Sequence, residues 1–590
     1  MKKIVFVFLF SVSLSHVLAD TQDYIRAGVI LVKSNAAYFD KGAIDGVAPG
    51  ETFEIYFDGA IVTSGRIAWV DSDISRSEIL DSSIVAQITI YRPLEAKIRL
   101  LAPQASRGGH LTIPIFSEPH LDPSAIATPS DMMVARLIHR GLVTRDKSGQ
   151  VVPDLCGDYE IRDLTYTFYV SPGAVFHNGK PVEASDVLYS LETLVRAPRL
   201  TPFSCFILEI KGARDVRAGL RSEIAGIFIV DTKTISITLE RPFPNFIDYL
   251  AGPAGYIIPR PGMVSSGLGV IGAGPYRVKW YGPEAIVVQP AGTSADAAFL
   301  DSLTFLRFDQ LDEAGLAFEL GRLDIINLLG EPPPKFVSKG NFTSFTSPTY
   351  SYVILGVNCS RSFQADGKFG KALSFLFDRE ALIRVILGGS ATTPTYQVPG
   401  RPDLDIDLTF PFMPDSAAYY FSSIQNPPRT ITLYVDSRYP ILTNISRYLK
   451  GQLQKQNIKV VERKVDFQMI DLASARSELD LYLTYYFPAA GDPESVFYPL
   501  LDYDLSGETN FLNFTDEAIQ AFLDRLHTEG LADASDNIAY GLVNSIMAEP
   551  PVIFLFQPHL TSITKDDIFG AEWDPAGFLD LRRAFIGTGK

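Results

Sequence analysis

The sequence predicts a mixed α/β architecture that follows a small all-β module. One observation is the length, because 590 residues are too many for one hydrophobic core and suggest about three to four domain-sized units. Between residues 24 and 93, short β-like segments alternate with turn signals, as in small barrels. From residue 110 onward, strand and helix patterns alternate irregularly, which is typical of α/β proteins with mixed sheets.

The N-terminus has the pattern of an export signal. Two lysines precede an apolar segment that begins at Ile4, and Val17 and Ala19 satisfy the small-residue rule for cleavage after Ala19. The segment is shorter than the about 20 residues that a helix needs to span a bilayer. We therefore predict a signal peptide over residues 1–19 rather than a buried helix. Because no cysteine lies near the cleavage point, we expect no lipid anchor and a mature protein free in the periplasm.

The charge and composition exclude several classes of partner. Acidic residues outnumber basic ones, 68 to 52, and the formal net charge is −16. No run of lysine and arginine interrupts this excess, so the sequence lacks the basic surface that binds nucleic acid. The seven histidines are scattered and no Cys-x-x-Cys pair occurs, so we expect no metal site and no cofactor.

Cysteine usage gives no clear disulfide framework. Cys156, Cys205 and Cys359 are widely spaced and odd in number. An oxidising compartment permits one disulfide among them, and the spacing leaves its pairing open. We expect at least two of the three to serve as small buried apolar side chains.

Residues 20–94 form the predicted β module. Its turn signals are Asp45-Gly46, Pro49-Gly50, Asp58-Gly59 and Ser64-Gly65. Between them lie Val/Ile/Phe/Tyr-rich segments of strand length, which predict a small β-barrel. The module resembles SH3-like domains of bacterial envelope proteins, and we interpret residues 95–109 as a connector. We assign to its core, rather than to a binding site, the residues Val29, Ile30, Phe53, Ile55, Trp69 and Val70.

The most specific segment begins at Thr165 and reads TYTFYVSPGAVFHNGKPVEASDVLYSLETL. Alternating side chains predict a strand, and the Pro-Gly and Asn-Gly dipeptides predict turns. Ser185 or Asp186 can then cap a helix that has one apolar stripe. We interpret His177 as a solvated or locally bonded imidazole. We therefore assign the segment a structural role and no catalytic one.

This segment resembles the signature of the family 5 extracellular solute-binding proteins, the dipeptide-, oligopeptide- and nickel-type receptors of ABC importers. The family pattern runs roughly TYTF-x-L-R-x-G-V-x-F-H-D-G-x-P-x-T-A-x-D-V. The chain departs from it at Ser171, where a basic residue is common, and at Glu183, where threonine usually caps the helix. The matching residues are Thr165, Tyr166, Thr167, Phe168, Gly173, Val175, Phe176, His177, Gly179, Pro181, Ala184, Asp186 and Val187.

Further segments follow the family's order, among them EPHLDPS, GAGPYRVKWY, KALSFLFDREALI, GDPESVFYPLL and TNFLNFTDEAIQAFLDRL. The resemblance covers about residues 110–583. It implies a two-lobed periplasmic-binding-protein clamp of mixed sheets that closes on a solute. Lobe I is then expected at 110–345 with an inserted subdomain at about 122–245, lobe II at 346–545, and a return to lobe I at 546–590.

The resemblance also implies where a solute binds, because family clefts are lined by loops that follow strands in both lobes. Pockets generally combine aromatic walls with a few convergent polar groups. The candidate ligand-binding residues are therefore Glu118, His120, Asn358, Phe363, Tyr396, Tyr485, Tyr486, Asp492 and Phe497.

One departure from the family bears on the solute. Peptide receptors of the family have an Asp four residues before the Pro of a D-Y-x-x-P segment, where it pairs with the α-ammonium of the peptide. A desolvated ammonium needs such a counter-charge. In this chain the position four before Pro493 is Ala489, and the retained Asp492 immediately precedes the proline. We therefore do not expect ordinary recognition of a free peptide N-terminus.

We predict a periplasmic receptor that delivers an oligopeptide-like or other small polar solute to the permease of an ABC importer by clamp closure, without chemistry. An enzyme is one alternative, but the chain has no H-E-x-x-H, G-x-S-x-G or P-loop motif. A second alternative is an envelope interaction or scaffold protein that uses a degenerate binding-protein fold and binds a partner through its β module. A cleft filled by the protein's own side chains would favour that alternative.

Overall fold

The computed structural model divides the chain into two compact units, Met1–Gln104 and Ala105–Lys590. In the first unit it describes residues 24–33, 36–39, 52–57, 60–70, 75–77 and 95–99. In the second unit it describes residues 107–587 except for 147–148, 262–269, 293–297, 330–341, 348, 398–404, 467–477, 490–491, 507, 534–535 and 575–576. The predicted signal peptide and three of the four predicted turn dipeptides of the β module lie outside the described residues.

The strands of the first unit are β1 (Tyr24–Lys33), β2 (Ala36–Phe39), β3 (Thr52–Phe57), β4 (Ala60–Val70), β5 (Ser75–Ser77) and β6 (Glu95–Arg99). They form a closed barrel of order β1–β2–β5–β4–β3–β6, with antiparallel neighbours. Phe53, Ile55 and Ile67 are buried, as the period-2 alternation of a strand requires for inward positions. Closure pairs both edges of every strand, which removes the open edges that would otherwise recruit another chain.

Two expectations for this unit are wrong. Residues 95–99 are not part of a connector, because strand β6 pairs with both β1 and β3 and so closes the barrel. Ile98, for example, lies opposite Ile25 on one side and Phe53 on the other. Ser64-Gly65 makes no turn, since both residues lie within β4. The resemblance to SH3-like domains stays a prediction.

Lobe I opens the second unit. Its elements are β7 (His110–Ile115), α1 (Pro129–Ile138), β14 (Tyr276–Tyr281), β15 (Ala285–Pro290), β16 (Ser302–Arg307), α5 (Leu311–Glu319), β17 (Ile325–Leu329), β18 (Phe342–Ser347), β27 (Leu560–Lys565), β28 (Ile568–Phe569), β29 (Glu572–Trp573), β30 (Leu579–Asp580) and β31 (Phe585–Ile586). One sheet has the order β14–β15–β16–β7 and a second has the order β17–β27–β18. Helix α1 covers the first sheet with Val134, Leu137 and Ile138, which belong to the same core as Ile113 of β7.

The inserted subdomain, called the insert below, follows α1. Its elements are β8 (Val143–Arg145), β9 (Val151–Pro153), β10 (Cys156–Arg162), β11 (Thr165–Val170), α2 (Ala184–Val195), the 3-10 helix Cys205–Glu209, α3 (Ala213–Arg217), β12 (Ile227–Ile229), β13 (Thr234–Thr238) and α4 (Phe246–Leu250). Its sheet has the order β10–β11–β13–β12. Its core begins at Leu142 and extends to Ile257. The expected bounds of about 122–245 were therefore too early, because α1 packs in lobe I.

The strand and helix of the signature segment are confirmed as β11 and α2. The cap of α2 is Glu183, however, and neither Ser185 nor Asp186; the Asp186 carboxylate instead accepts a hydrogen bond from the Glu183 backbone N–H at 2.9 Å. His177 is neither solvated nor locally bonded, because its Nε2 lies 3.1 Å from the carbonyl oxygen of Gly274, 97 residues later in the chain. The signature thus ties the insert to the Gly-Pro-Tyr strand turn of lobe I.

Lobe II contains β19 (Tyr352–Val357), α6 (Lys368–Leu376), α7 (Arg379–Leu387), β20 (Ala391–Thr392), β21 (Thr395–Gln397), β22 (Asp405–Asp407), α8 (Pro414–Ser422), β23 (Thr430–Asp436), α9 (Leu442–Lys455), β24 (Lys459–Val465), β25 (Leu481–Tyr486), α10 (Pro493–Leu501), α11 (Glu517–Asp533), α12 (Asp536–Ala548) and β26 (Val552–Pro558). Its mixed sheet has the order β20–β26–β19–β25–β23–β24. The return to lobe I was expected at residue 546, but β26 still pairs with β19 of lobe II. The crossing therefore occurs between β26 and β27.

The three cysteines are free thiols. Cys156 and Cys205 are buried in the core of the insert, which confirms that at least two of the three act as small apolar side chains. Cys359 is half-buried in lobe II. Among the helices of the described residues, none combines the length and the apolar character needed to cross a lipid bilayer.

Candidate solute-binding cleft

Aromatic side chains from three parts of the second unit meet between the lobes. Phe487 follows β25 of lobe II, and its ring centroid lies 5.4 Å from that of Phe578 in lobe I. Phe203 of the insert packs against the same Phe578 ring at 5.8 Å. We call Phe203, Phe487 and Phe578, together with Tyr439 and Tyr485 of lobe II, the aromatic junction. It is a place where lobe I, the insert and lobe II are in contact.

The lobe II wall of the aromatic junction is built at the ends of two parallel strands. Tyr485 lies at the end of β25 and stacks on Phe487 at 4.2 Å with an interplanar angle of 13°. Tyr439 follows β23, and its ring lies 5.5 Å from that of Tyr485. Because β23 and β25 run parallel, their carboxyl ends share one edge of the sheet. Crevices outside such strand ends are the usual ligand sites of α/β proteins.

Beside the aromatic rings, lobe II presents a guanidinium. Arg438 donates from Nε to Asp436 Oδ1 at 2.9 Å and from Nη2 to Asp436 Oδ2 at 2.7 Å. Thr484 donates its hydroxyl to the same carboxylate at 2.8 Å, which fixes Asp436 in turn. Although burial favours its neutral form, the Asp436 carboxylate holds the pKa of Arg438 above its usual range. The ion pair is therefore a rigid part of the wall.

Lobe I faces this guanidinium with an imidazole. The buried Asp131 carboxylate accepts hydrogen bonds from the backbone N–H groups of His120, Ala127 and Thr128 at 2.7, 2.9 and 2.7 Å. It thereby fixes the loop that carries His120, whose Nδ1 lies 3.3 Å from Asp131 Oδ1. The hydrogen bond to Asp131 raises the pKa of His120; burial and the charge of Arg438 lower it, and the carboxylate of Asp466 raises it further. Charged groups of both lobes therefore shift the pKa of His120.

A second arginine closes the lobe I side. Arg136 of α1 lies 5.9 Å above the Phe578 ring and donates from Nη2 to Asp574 at 2.6 Å. Coulombic attraction to Asp574 and Asp580 overcomes the desolvation of this buried group and keeps the pKa of Arg136 above its usual range. The arginine is thereby held as a cation against an aromatic face, which adds attraction beyond the area that is buried.

The structure brings two of the predicted site residues, His120 and Tyr485, to the walls of this cleft. Glu118 lies on the same lobe I loop but is exposed, and it accepts a hydrogen bond from the Tyr281 hydroxyl at 2.8 Å. Tyr396 lies in β21 opposite Ile406, and its side chain is outside the described residues. The expectation for Tyr396 therefore stays a prediction.

Four predicted positions have side chains in the interior of lobe II, and the expectation that they bind a solute stays a prediction. Phe497 is fully buried and packs edge-on against Phe554, with ring centroids 6.2 Å apart. Phe363 packs against Phe369 at 4.7 Å. Phe363 thus belongs to the same apolar core as the aromatic junction, whereas Phe497 belongs to the second core of lobe II.

The other two of these positions are polar, and their hydrogen bonds are internal. The Tyr486 hydroxyl donates to the carbonyl oxygen of Ser495 at 3.0 Å. Asn358 follows the far end of β19 and donates to the carbonyl oxygen of Leu479 at 2.8 Å. Because β19 and β25 are antiparallel, Asn358 lies at the opposite end of the sheet from Tyr485. Alternation alone cannot tell which face or end of a central strand is buried.

The sequence reasoning missed six residues of the cleft: Arg136, Phe203, Arg438, Tyr439, Phe487 and Phe578. Arg438 and Tyr439 had a usable signal, since a polar turn directly follows the buried strand TITLYVD. Phe487 had a weaker one, as the neighbour of the predicted Tyr485. Phe203 and Phe578 lie far from any recognised motif, and only the folded chain brings them together.

The sequence profile of the bacterial extracellular solute-binding proteins, family 5 Middle, matches residues 150–507. The chain belongs to this family. The glutathione-binding protein GsiB of Pectobacterium atrosepticum is 24% identical over 488 residues, which cover 76% of this chain and 88% of that protein. The periplasmic murein peptide-binding protein MppA of Escherichia coli is 27% identical over 317 residues, which cover 51% of this chain and 57% of that protein.

The fold of this family 5 protein also matches solved structures. The Escherichia coli murein tripeptide-binding protein MppA superposes with a TM-score of 0.71 at 22% identity, covering 82% of this chain and 100% of that one. The agreement confirms the two-lobed α/β clamp that the sequence predicted.

In this family 5 protein neither candidate position for an ammonium-binding carboxylate fits that role. Ala489 is half-buried and packs against the cores of both lobe II and the insert. Asp492 is buried; its Oδ1 accepts from the Ser495 backbone N–H at 2.8 Å, which caps α10, and from the Tyr249 hydroxyl at 2.9 Å. Burial and the nearby Glu494 raise the pKa of Asp492 to about 6. Asp492 thus joins lobe II to the insert, and its assignment to the ligand site stays a prediction.

Proposed function

We propose that this solute-binding protein is an exported receptor that encloses one small solute between lobe I and lobe II. The aromatic junction carries this proposal, because it brings apolar rings and paired charges from both lobes to one place. Closure on a solute excludes water from such a site and strengthens its polar contacts. The receptor then presents the enclosed solute to the permease of an ABC importer.

The proposed solute is peptide-like but is not anchored by a free α-ammonium at position 489. GsiB is named for glutathione and MppA for murein peptides, and both names support a short solute with amide bonds. Ala489 offers no carboxylate, and Asp492 is engaged in the cap of α10. Recognition therefore falls to the rings and donors of the aromatic junction.

We further propose that the protein acts in the periplasm after cleavage behind Ala19, without a lipid anchor and without chemical change of the solute. MppA is named as a periplasmic protein, which supports this location. The relatives above are named as solute-binding proteins and not as enzymes, which supports a role in capture and delivery.

Native mass spectrometry of the exported protein, followed by denaturing release of any co-purified molecule, tests the proposal. Isothermal titration calorimetry with glutathione and with murein tripeptide then measures affinity. We expect a bound solute or a measurable dissociation constant for at least one probe. A protein that is empty as isolated, and that shows no heat of binding or thermal shift with either probe, would overturn the receptor role.

One observation favours the second candidate function, an envelope interaction or scaffold protein. A single apolar core contains Ile126 and Phe578 of lobe I, Phe203 of the insert and Phe487 of lobe II, so the protein's own side chains fill much of the junction. Under this alternative the β module binds an envelope partner. An empty protein whose lobes show no change in small-angle scattering upon addition of the probes would support it.

A further inference from the structure

Four hydrogen-bond donors of the cleft have no partner among the described residues: Arg136 Nε, Arg438 Nη1, Tyr439 Oη and Tyr485 Oη. Nη1 of Arg438 and Oη of Tyr439 belong to consecutive residues, and both are closed off from solvent. The other two nitrogens of Arg438, Nε and Nη2, donate hydrogen bonds to Asp436. The Arg438 side chain as a whole is 10% exposed. Buried polar groups are bonded in the large majority of cases, and each exception needs an explanation.

These two donors lie where the lobes meet. The Arg438 guanidinium lies 5.6 Å from the centre of the Tyr439 ring, so the two groups form one surface. The Tyr439 ring packs against Phe487 at 6.1 Å, and Phe487 in turn contacts Phe578 of lobe I. The Asp131 carboxylate of lobe I is close enough to help raise the pKa of Tyr439, although burial is the main cause. Both donors therefore lie at the contact between lobe I and lobe II.

The charges around them select the kind of acceptor. Asp436 and Asp466 of lobe II flank Arg438, with Asp466 Oδ1 3.7 Å from Nε, and Asp131 lies across the cleft. Three carboxylates thus surround one guanidinium and the imidazole of His120. A further carboxylate would meet net repulsion, whereas a neutral carbonyl oxygen accepts from an N–H and an O–H without that cost.

We propose that an amide carbonyl oxygen of the solute accepts hydrogen bonds from Arg438 Nη1 and Tyr439 Oη when the clamp closes. This inference rests on the proposed receptor function and names the chemical group of the solute that the cleft recognises. Arg438 and Tyr439 then determine specificity in place of the aspartate that peptide receptors of the family have at the position of Ala489. The rings of Tyr485 and Phe487 then cover the amide plane.

The variant Tyr439→Phe separates this role from a structural one. An unbonded buried hydroxyl carries a desolvation cost in the solute-free protein. Because the variant removes this cost, we expect the melting temperature to rise by about 1–3 °C. The same change removes one hydrogen bond to the solute, so we expect calorimetry to show a dissociation constant about fivefold higher for glutathione or murein tripeptide. Tyr419→Phe, at an exposed tyrosine of lobe II, is the matched control and should change neither quantity.

Arg438→Lys and a chemical probe complete the test. Lysine keeps the charge beside Asp436 but loses the planar Nη1 donor, so affinity should fall while the circular dichroism spectrum stays unchanged. Glutathione diethyl ester lacks free carboxylates but keeps both amide carbonyls, so its affinity should still depend on Tyr439. If esterification abolishes binding while glutathione itself binds, the acceptor is a carboxylate and the amide assignment is overturned.

The failure of this inference differs from failure of the receptor function. If the wild-type protein binds a probe and Tyr439→Phe binds it equally well, the inference is wrong and the receptor function stands. If the wild-type protein binds neither probe and is empty as isolated, the receptor function fails and the inference fails with it.

Discussion

His527 of lobe II and Glu209 of the insert form a buried ion pair, with 3.0 Å between Nε2 and Oε2. On the other side of the ring, Nδ1 lies 2.5 Å from Glu494 Oε1. The contacts are ionic rather than in-line hydrogen bonds, because neither ring N–H meets hydrogen-bond geometry. Burial lowers the pKa of His527, but the two carboxylates outweigh it and raise the pKa to about 9. The imidazolium therefore links the insert to lobe II at neutral pH.

Removing the His527 charge should lower the free energy of unfolding by an amount that depends on pH. The folded-state pKa of about 9 exceeds the ordinary value of 6.5, so the stabilisation is complete below pH 6.5 and is lost as the pH rises through 9. We expect His527→Gln to lower the free energy of unfolding at pH 6.5 by on the order of 3 kcal/mol. Urea titrations between pH 6 and pH 10 measure both the loss and the slope.

The control for this prediction is His110→Gln, at the exposed start of β7. It removes one histidine without touching the ion pair, so its stability should follow the wild-type curve. A His527→Gln variant that keeps the wild-type pH slope would show that another group titrates in this range.

Asp492→Asn should leave solute affinity unchanged and stabilise the protein near neutral pH. Asparagine Oδ1 can accept from the same two donors, the Ser495 N–H and the Tyr249 hydroxyl. Because burial raises the folded-state pKa of Asp492 from 3.8 to about 6, its charge costs stability as the pH rises through 6. We expect a gain on the order of 2 kcal/mol at pH 7.5 and none at pH 4. A loss of solute affinity in this variant would return Asp492 to the ligand site.

Two phenylalanines of lobe II should separate binding from stability. Phe487→Leu removes a buried ring from the aromatic junction, so the dissociation constant of a bound probe should rise about fivefold, in addition to a stability loss of about 1 kcal/mol. Phe497→Leu alters the interior of lobe II and should cost about 1 kcal/mol of stability while affinity stays the same. Calorimetry and thermal melting on the same preparations give both readouts. Equal effects of both variants on affinity would place Phe497 at the solute.

The scaffold of the second unit was predictable because its motifs encode local structure. The signature strand and helix follow from alternation and from a stripe of apolar side chains, both visible in the sequence. Gly272 and Gly274 are needed where their motif meets α1, since a Cβ at these positions would lie 1.9 Å from the Ile138 carbonyl oxygen and 2.4 Å from that of Leu137. Domain bounds were less accurate, because β26 and β27 are almost continuous in sequence yet belong to different lobes.

The site was less predictable than the scaffold, for a physical reason. Tyr485 and Tyr486 are neighbours in sequence, but because successive side chains of a strand alternate, they lie on opposite faces of β25. Tyr485 therefore reaches the aromatic junction, while Tyr486 enters the other core of lobe II. Which face meets lobe I depends on contacts such as Phe487 with Phe578, and these residues are far apart in the chain.

The closing strand β6 gives a prediction for the first unit. A fragment of residues 20–104 contains all six strands, so we expect it to give a β-rich circular dichroism spectrum and a cooperative thermal transition. A fragment of residues 20–94 lacks β6 and leaves β1 and β3 with open edges, so it should aggregate or stay unfolded. Equal folding of both fragments would mean that β6 contributes no essential pairing and that residues 95–99 act as the connector first expected.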